Sequence, residues 1–233
     1  MNKRTRIKIC RLTREQDVQA AVEAGADAIG LVFYEGSPRH VTPEVAARLI
    51  SVVPPLVTAV GLFVNATADE VERIVRQVPV TLLQFHGDET VEQCAAIAHR
   101  VNRPFVRAIR VGKEISAADL LKYEKNYRAA SMMFAGLLLD AFVDGYGGGG
   151  KVFDWSLIPE ELAPRVVLSG GLSVQNATEA VLQVRPHAVD VSSGVELSKG
   201  IKDAARIRAF IGAVRAADAA ITKESDHERI ERA

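Results

Sequence analysis

Cys10 and Asp140 are the residues of this chain whose type and address most directly suggest chemistry. Cys10 ends the run Ile7-Lys8-Ile9-Cys10, just before the helix-start pattern Leu12-Thr13-Arg14-Glu15, and Asp140 follows Leu137-Leu138-Leu139 in the same way. Strand ends are where α/β barrels and open α/β sheets keep their reactive groups. A thiol and a carboxyl at two such ends point to proton transfer. Each has a plainer alternative: cysteine is often a small buried hydrophobe, and an aspartate after a strand often caps the next turn. A thiol acting as a base needs positive charge beside it, and Lys8 and Arg11 are the candidate sources. Cys94, inside a helical pattern, reads as core.

Two further segments suit a phosphate. Leu168-Ser169-Gly170-Gly171-Leu172 opens toward a helix at Ser173, and Val191-Ser192-Ser193-Gly194-Val195-Glu196 follows another apolar run. Glycines let backbone N–H groups approach an anion, serines add hydroxyl donors, and a helix N-terminus adds partial positive charge. Arg39, in Ser37-Pro38-Arg39-His40, has the planar fork that clamps a carboxylate; a solvated surface arginine is the alternative. Gln84 and His86 share one face at the end of their run, so His86 reads equally as structural or as lining a site. The stretch Gly145-Tyr146-Gly147-Gly148-Gly149-Gly150-Lys151 matches neither a Walker nor a Rossmann pattern. It is read as a lid that closes on substrate, or as a plain irregular loop.

These residues need a frame. Strands are expected at residues 7–10, 28–33, 58–64, 81–85, 105–109, 134–139, 165–168 and 188–191, with helices at 15–24, 43–52, 68–77, 91–100, 116–123, 173–184 and 202–217. Strands that each lead into a helix or long loop, in this number, predict an α/β fold: a single-domain (β/α)8 TIM barrel over residues 1–217. An open doubly wound sheet is the competitor, but its glycine-rich turn belongs after the first strand. Alternation puts Lys8 and Cys10 on the inward face. Barrel closure would then set Asp190 beside Lys8 as a buried structural ion pair. Residues 218–233 lose the apolar periodicity and read as a polar, flexible tail.

Composition narrows the partners. Lys+Arg and Asp+Glu balance at 29 each, and 48% of residues are hydrophobic, so no global field favours nucleic acid or anionic membrane. No apolar run approaches the roughly 18 residues of a membrane span, and the basic N-terminus leads into no signal-peptide core. Two cysteines make no disulfide framework, which favours a reduced, cytoplasmic setting. No Cys/His spacing suggests a metal site.

In order along the chain, these pieces resemble the phosphoribosylanthranilate isomerases of tryptophan biosynthesis. The matching segments are Lys8-Ile9-Cys10-x-Leu12-Thr13, Gly25-Ala26-Asp27-x-x-Gly30, Ser37-Pro38-Arg39, Gly61-x-Phe63-Val64-Asn65, Gln84-x-His86-Gly87, Leu139-Asp140, Phe153-Asp154-Trp155, Ser169-Gly170-Gly171-Leu172 and Asp190-x-Ser192-Ser193-Gly194-Val195-Glu196. The resemblance implies an Amadori rearrangement without cofactor or metal, with Asp140 as general acid and Cys10 as general base. It further implies Arg39 on the anthranilate carboxylate and Gly170, Gly171, Ser192, Ser193 and Gly194 on the phosphate. Gln84, His86 and Asn65 would line the site. The partner is then a phosphorylated small molecule, and the protein a monomer or homodimer. Desolvation is expected to raise the Asp140 pKa so that it holds its proton.

Two positions depart from the family pattern. Arg11 replaces the usual glycine, which would perturb the first loop or lower the Cys10 pKa. Gly149 stands where the family carries Thr or Ser. The rival readings are the histidine-pathway aminoaldose isomerase, which uses two aspartates, and a non-catalytic barrel that binds a phosphometabolite.

Overall fold

Every strand expected from the apolar runs forms, and the last pairs with the first. The computed structural model describes residues 4–142 and 152–231, with side chains described to residue 224. Its strands are β1 (Arg6–Ile9), β2 (Ala28–Val32), β3 (Thr58–Phe63), β4 (Leu82–Phe85), β5 (Phe105–Val111), β6 (Phe134–Ala141), β7 (Val167–Leu168) and β8 (Ala188–Val191). They close in sequence order into one barrel. All the barrel pairings are parallel, and β8 meets β1 with Asp190 in register with Lys8.

Helices α1 (Glu15–Glu23), α2 (Pro43–Ser51), α3 (Ala68–Gln77), α4 (Val91–Val101) and α5 (Ala117–Ala130) follow β1 to β5. Their starts are set by local hydrogen bonding. Thr42 caps α2 ahead of Pro43, and reciprocal capping boxes join Thr67 to Glu70, Thr90 to Gln93 and Ser116 to Asp119, satisfying N–H groups that a helix leaves unpaired. Beyond β6 the chain makes two short 3-10 turns, Trp155–Leu157 and Ala163–Arg165.

Several boundaries differ from expectation, among them the end of α5, which runs on to Ala130 past residue 123. Helix α6 (Ala177–Val184) starts later than residue 173, because Ser173 N–H donates to Asn176 Oδ1 (2.8 Å) while the Asn176 amide donates to Gly171 O (3.0 Å). That side chain holds a turn instead of a helical start. Helix α7 (Ala204–Glu231) continues through the polar stretch read as a tail. Lysine, arginine and glutamate are good helix formers, and Asp218 is tied to the start of β1: Thr5 donates to it from its N–H (3.0 Å) and its hydroxyl (2.7 Å). Finally, a hairpin of β9 (Glu196–Ser198) and β10 (Ile201–Lys202) forms between β8 and α7. The proposed lid, Gly145 to Lys151 with Gly149 within it, lies outside the described residues.

Strand alternation divides the core in two. Ile7, Ile9, Ile29, Leu31, Phe63, Phe85 and Phe105 join the large cluster that includes the helix residues Val18, Leu49, Val71 and Ile97. Cys10 belongs to a separate small cluster with Val32, Leu62 and Val64. Among the described residues, no helix is long and apolar enough to cross a membrane.

Candidate active site

The elements converge at the ends of the strands. Cys10 follows β1 directly, and its sulfur would lie 2.6 Å from a Cβ placed on Gly30 of β2. Lys8 Nζ would be 3.1 Å from that same Cβ. Only glycine at position 30 leaves room for both side chains. Lys8 donates to Asp190 Oδ1 at 2.8 Å, and both are buried, so the expected closing ion pair is present. Burial lowers the Lys8 pKa, but Asp190 and Cys10 outweigh it and the net shift is upward. Cys10 also lies within electrostatic reach of Arg39 and Lys202. The neighbourhood of the sulfur is cationic. Cys94 behaves as core: it is fully buried, and burial pushes its thiol up to about 12.

Asp140 sits near the end of β6, two strands beyond β8 in barrel order, and is buried. His86, just past β4, places Nε2 3.0 Å from Asp140 Oδ2 and Nδ1 2.9 Å from Gln84 Nε2. The expectation of a raised Asp140 pKa is overturned. Burial pushes it up, but the His86 hydrogen bond, the positive charges near it (Arg11 among them) and the Ala141 N–H together hold it below the ordinary carboxylate value.

Arg11 therefore acts on Asp140. Its backbone has φ 62°, the left-handed region that glycine enters without penalty, which explains why glycine is usual at this position. The side chain is buried at the mouth of the barrel.

The two glycine-serine segments come together. Gly170 and Gly171 both have positive φ, 82° and 66°. Gly194 packs so closely against Leu172 that an added Cβ would lie 2.0 Å from its carbonyl oxygen, and Ser173 bridges Gly194 as a parallel pair. An added Cβ on Gly170 would fall 2.2 Å from Ala141 N and 2.9 Å from Asp140 Oδ1. The glycine-lined turn is thus built against the carboxylate. Ser192 and Ser193 extend it, with the Ser192 carbonyl held by Lys202 Nζ at 3.0 Å.

Arg39 reaches the same end of the barrel, where Nε and Nη2 donate to the two carboxylate oxygens of Glu196 at 2.8 and 2.6 Å. Lys202 donates to Glu196 Oε1 at 3.0 Å. Burial raises the Glu196 pKa, but its two cationic partners outweigh this and bring it to about 2. Asn65 performs a different task. Its N–H donates to Glu89 Oε1 (2.7 Å) and its Oδ1 accepts from Asp88 N–H (2.6 Å), joining the loops after β3 and β4.

Glu196 and Lys202 escaped notice in the sequence as partners of Arg39. A fork-shaped donor asks for a carboxylate, but nothing local selects one so far along the chain. Gly30 carried a signal, a lone glycine in a strand marking close approach.

Comparison with known proteins agrees with this geometry. Residues 7–213 match the family model for N-(5'phosphoribosyl)anthranilate (PRA) isomerase. The chain is 70% identical over 218 residues to N-(5'-phosphoribosyl)anthranilate isomerase of Herminiimonas arsenicoxydans, covering 94% of this chain and 96% of that protein. The crystal structure of the Thermotoga maritima phosphoribosyl anthranilate isomerase superposes with a TM-score of 0.80 at 41% identity, over 91% of this chain and 99% of that one. A second isomerase structure, in complex with reduced 1-(o-carboxyphenylamino)-1-deoxyribulose 5-phosphate, gives 0.77 at 38% identity, with the same coverage. A cysteine and a buried aspartate at the mouth of a closed barrel, beside two abutting glycine-serine turns, therefore have their place in a known lineage: the chain belongs to the phosphoribosylanthranilate isomerase family.

Proposed function

We propose that this protein converts N-(5-phosphoribosyl)anthranilate to 1-(o-carboxyphenylamino)-1-deoxyribulose 5-phosphate by general acid–base catalysis. The observation that carries the reading is positional. Cys10 after β1 and Asp140 on β6 flank β7 and β8, whose loops supply Gly170, Gly171, Ser192, Ser193 and Gly194. A phosphate bound in those loops, the common phosphate site of this barrel class, would hold the sugar between the two reagents.

The chemistry follows from the substrate. Asp140 delivers a proton to the ribose ring oxygen as the C1′–O bond breaks, and the anthranilate nitrogen lone pair forms the iminium. The iminium acidifies the C2′ hydrogen, which Cys10 removes as a thiolate, and the resulting enolamine tautomerises to the ketone. One acid and one base, each contributing about 10²–10⁴-fold, carry these proton transfers. Arg39 binds the anthranilate carboxylate with the donor capacity that Glu196 leaves over. We assign the catalytic unit to residues 1–217 and place it in the cytoplasm.

Steady-state fluorescence with both aminoaldose substrates tests the reading. Loss of the anthranilate-adduct signal, with no turnover of the histidine-pathway substrate, is the expected result. Binding without turnover would leave only a phosphometabolite-binding barrel.

A further inference from the structure

An acid must carry a proton, yet the resting Asp140 carboxylate is surrounded by groups that favour its ion. Directly behind it lies a buried chain of hydrogen bonds, from Asp140 Oδ2 to His86 Nε2 (3.0 Å) and from His86 Nδ1 to the Gln84 amide (2.9 Å). Gln84 is fully buried, and its Oε1 has no hydrogen-bond partner. An orphan acceptor beside a histidine calls for an explanation.

The amide has two poses related by a half-turn about its last bond. With the amide N–H2 on Nδ1, that ring nitrogen is a bare acceptor, so His86 is neutral and donates its single hydrogen from Nε2 to Asp140. With Oε1 on Nδ1, the ring nitrogen carries a hydrogen, and together with Nε2–H this makes an imidazolium. The observed pose leaves Oε1 unpartnered, so no hydrogen bond at that end opposes the half-turn and the charge on His86 can decide between the poses.

We propose, on the basis of the isomerase reading above, that Gln84 and His86 are positioning residues that store the proton Asp140 delivers. The charged store is imidazolium beside carboxylate. On delivery the Nε2 hydrogen passes to the carboxylate and from there to the substrate ring oxygen. His86 is left transiently neutral with its hydrogen on Nδ1 facing Oε1, and Asp140 is again an ion; exchange with solvent and the return half-turn of the amide restore the resting Nε2–H tautomer. Around this pair, Arg11 reaches in from the end of β1. The other charged groups on adjoining strand ends are paired: Lys8 with Asp190, Arg107 with Glu89, and Arg110 with Asp88. Arg39 and Lys202 at the same end are paired with Glu196, and Cys10 is a further titratable group there.

The test joins kinetics to a direct reading of the ring. Gln84→Glu fixes an acceptor on Nδ1, so the high-pH fall of kcat/KM should move up by at least about one pH unit, a tenfold change in proton affinity. Gln84→Met should lower kcat about tenfold with KM unchanged. A packing role alone would move neither the pH limb nor the kcat-to-KM split in this way. In 15N-histidine-labelled wild-type protein, with the His86→Asn variant assigning the signal, His86 should be the Nε2–H tautomer at pH 8 and gain its Nδ1 hydrogen on acidification. This last measurement needs no substrate and reads the wild-type ring, the variant serving only to assign its signal. An Nδ1–H tautomer at pH 8, or a high-pH limb unmoved by Gln84→Glu, overturns the proposal. Absence of turnover in the wild type would instead sink the isomerase reading and leave the tautomer result standing.

Discussion

At the scale of single residues, chemistry and strain meet in Cys10, Arg11 and Asp140. Removing the proposed base or acid while keeping the shape, with Cys10→Ala or Asp140→Asn, should leave folding intact and lower turnover by at least about 10². Single-turnover rates beside circular dichroism check this, and a wild-type rate in either variant removes that residue from the mechanism. Arg11 is the residue where two effects oppose. A non-glycine residue in the left-handed region costs about 1–2 kcal/mol, whereas a glycine there gives back about 0.4–1 kcal/mol through a freer unfolded chain. Relief of strain is the larger effect, so Arg11→Gly should raise stability slightly, by about 0.5 kcal/mol, in urea unfolding. The same change withdraws one of the charges that hold the Asp140 pKa down. The high-pH limb of kcat/KM should then shift upward. A limb that stays put would show that Arg11 spends its charge elsewhere.

At the scale of elements, the small hairpin β9–β10 does more than its length suggests. It supplies Glu196 and Lys202, which hold Arg39 at the mouth and anchor the Ser192 turn. Glu196 has a depressed pKa of about 2, against 4.5 for a free side chain. Its contribution to stability is thus complete above about pH 4.5 and is lost as the pH falls toward 2. Glu196→Gln should flatten the acid-unfolding curve in that window, and an unchanged curve would mean the pair is energetically silent. The variant should also raise KM by loosening Arg39. None of this hairpin was legible in the sequence, because strands of three and two residues are too short to show alternation. The barrel strands were legible because most are short runs rich in β-branched residues, leucine or phenylalanine and are largely buried. Caps at Thr42 and Ser116 announced α2 and α5, whereas Asn176 delayed α6 by a side-chain bond that composition does not reveal. The candidate site was readable where it consists of strand-end residues, Cys10, Asp140 and the glycine turns. It was unreadable where it consists of long-range pairs such as Arg39 with Glu196.

At the scale of the whole molecule, the ion pair that closes the barrel also lies beside the proposed base. Lys8 and Asp190 join the first and last strands, buried at 8% and 6% side-chain exposure, with Ser169 Oγ 3.4 Å from Asp190 Oδ2. Removing one partner of such a pair leaves an uncompensated buried charge and costs about 3–5 kcal/mol, whereas replacing both with apolar residues of similar size is often neutral. Lys8→Met should therefore destabilise strongly, and adding Asp190→Leu should recover most of the loss in urea unfolding. Activity should not recover with it. Lys8 is one of the cations around the Cys10 sulfur, so the stable double variant would close its barrel without the charge that favours a thiolate base, and its turnover should stay at least tenfold low. A double variant with both stability and turnover restored would confine Lys8 and Asp190 to holding the strands together. A stable but slow one would show that the seam of the barrel is also the back wall of its active site.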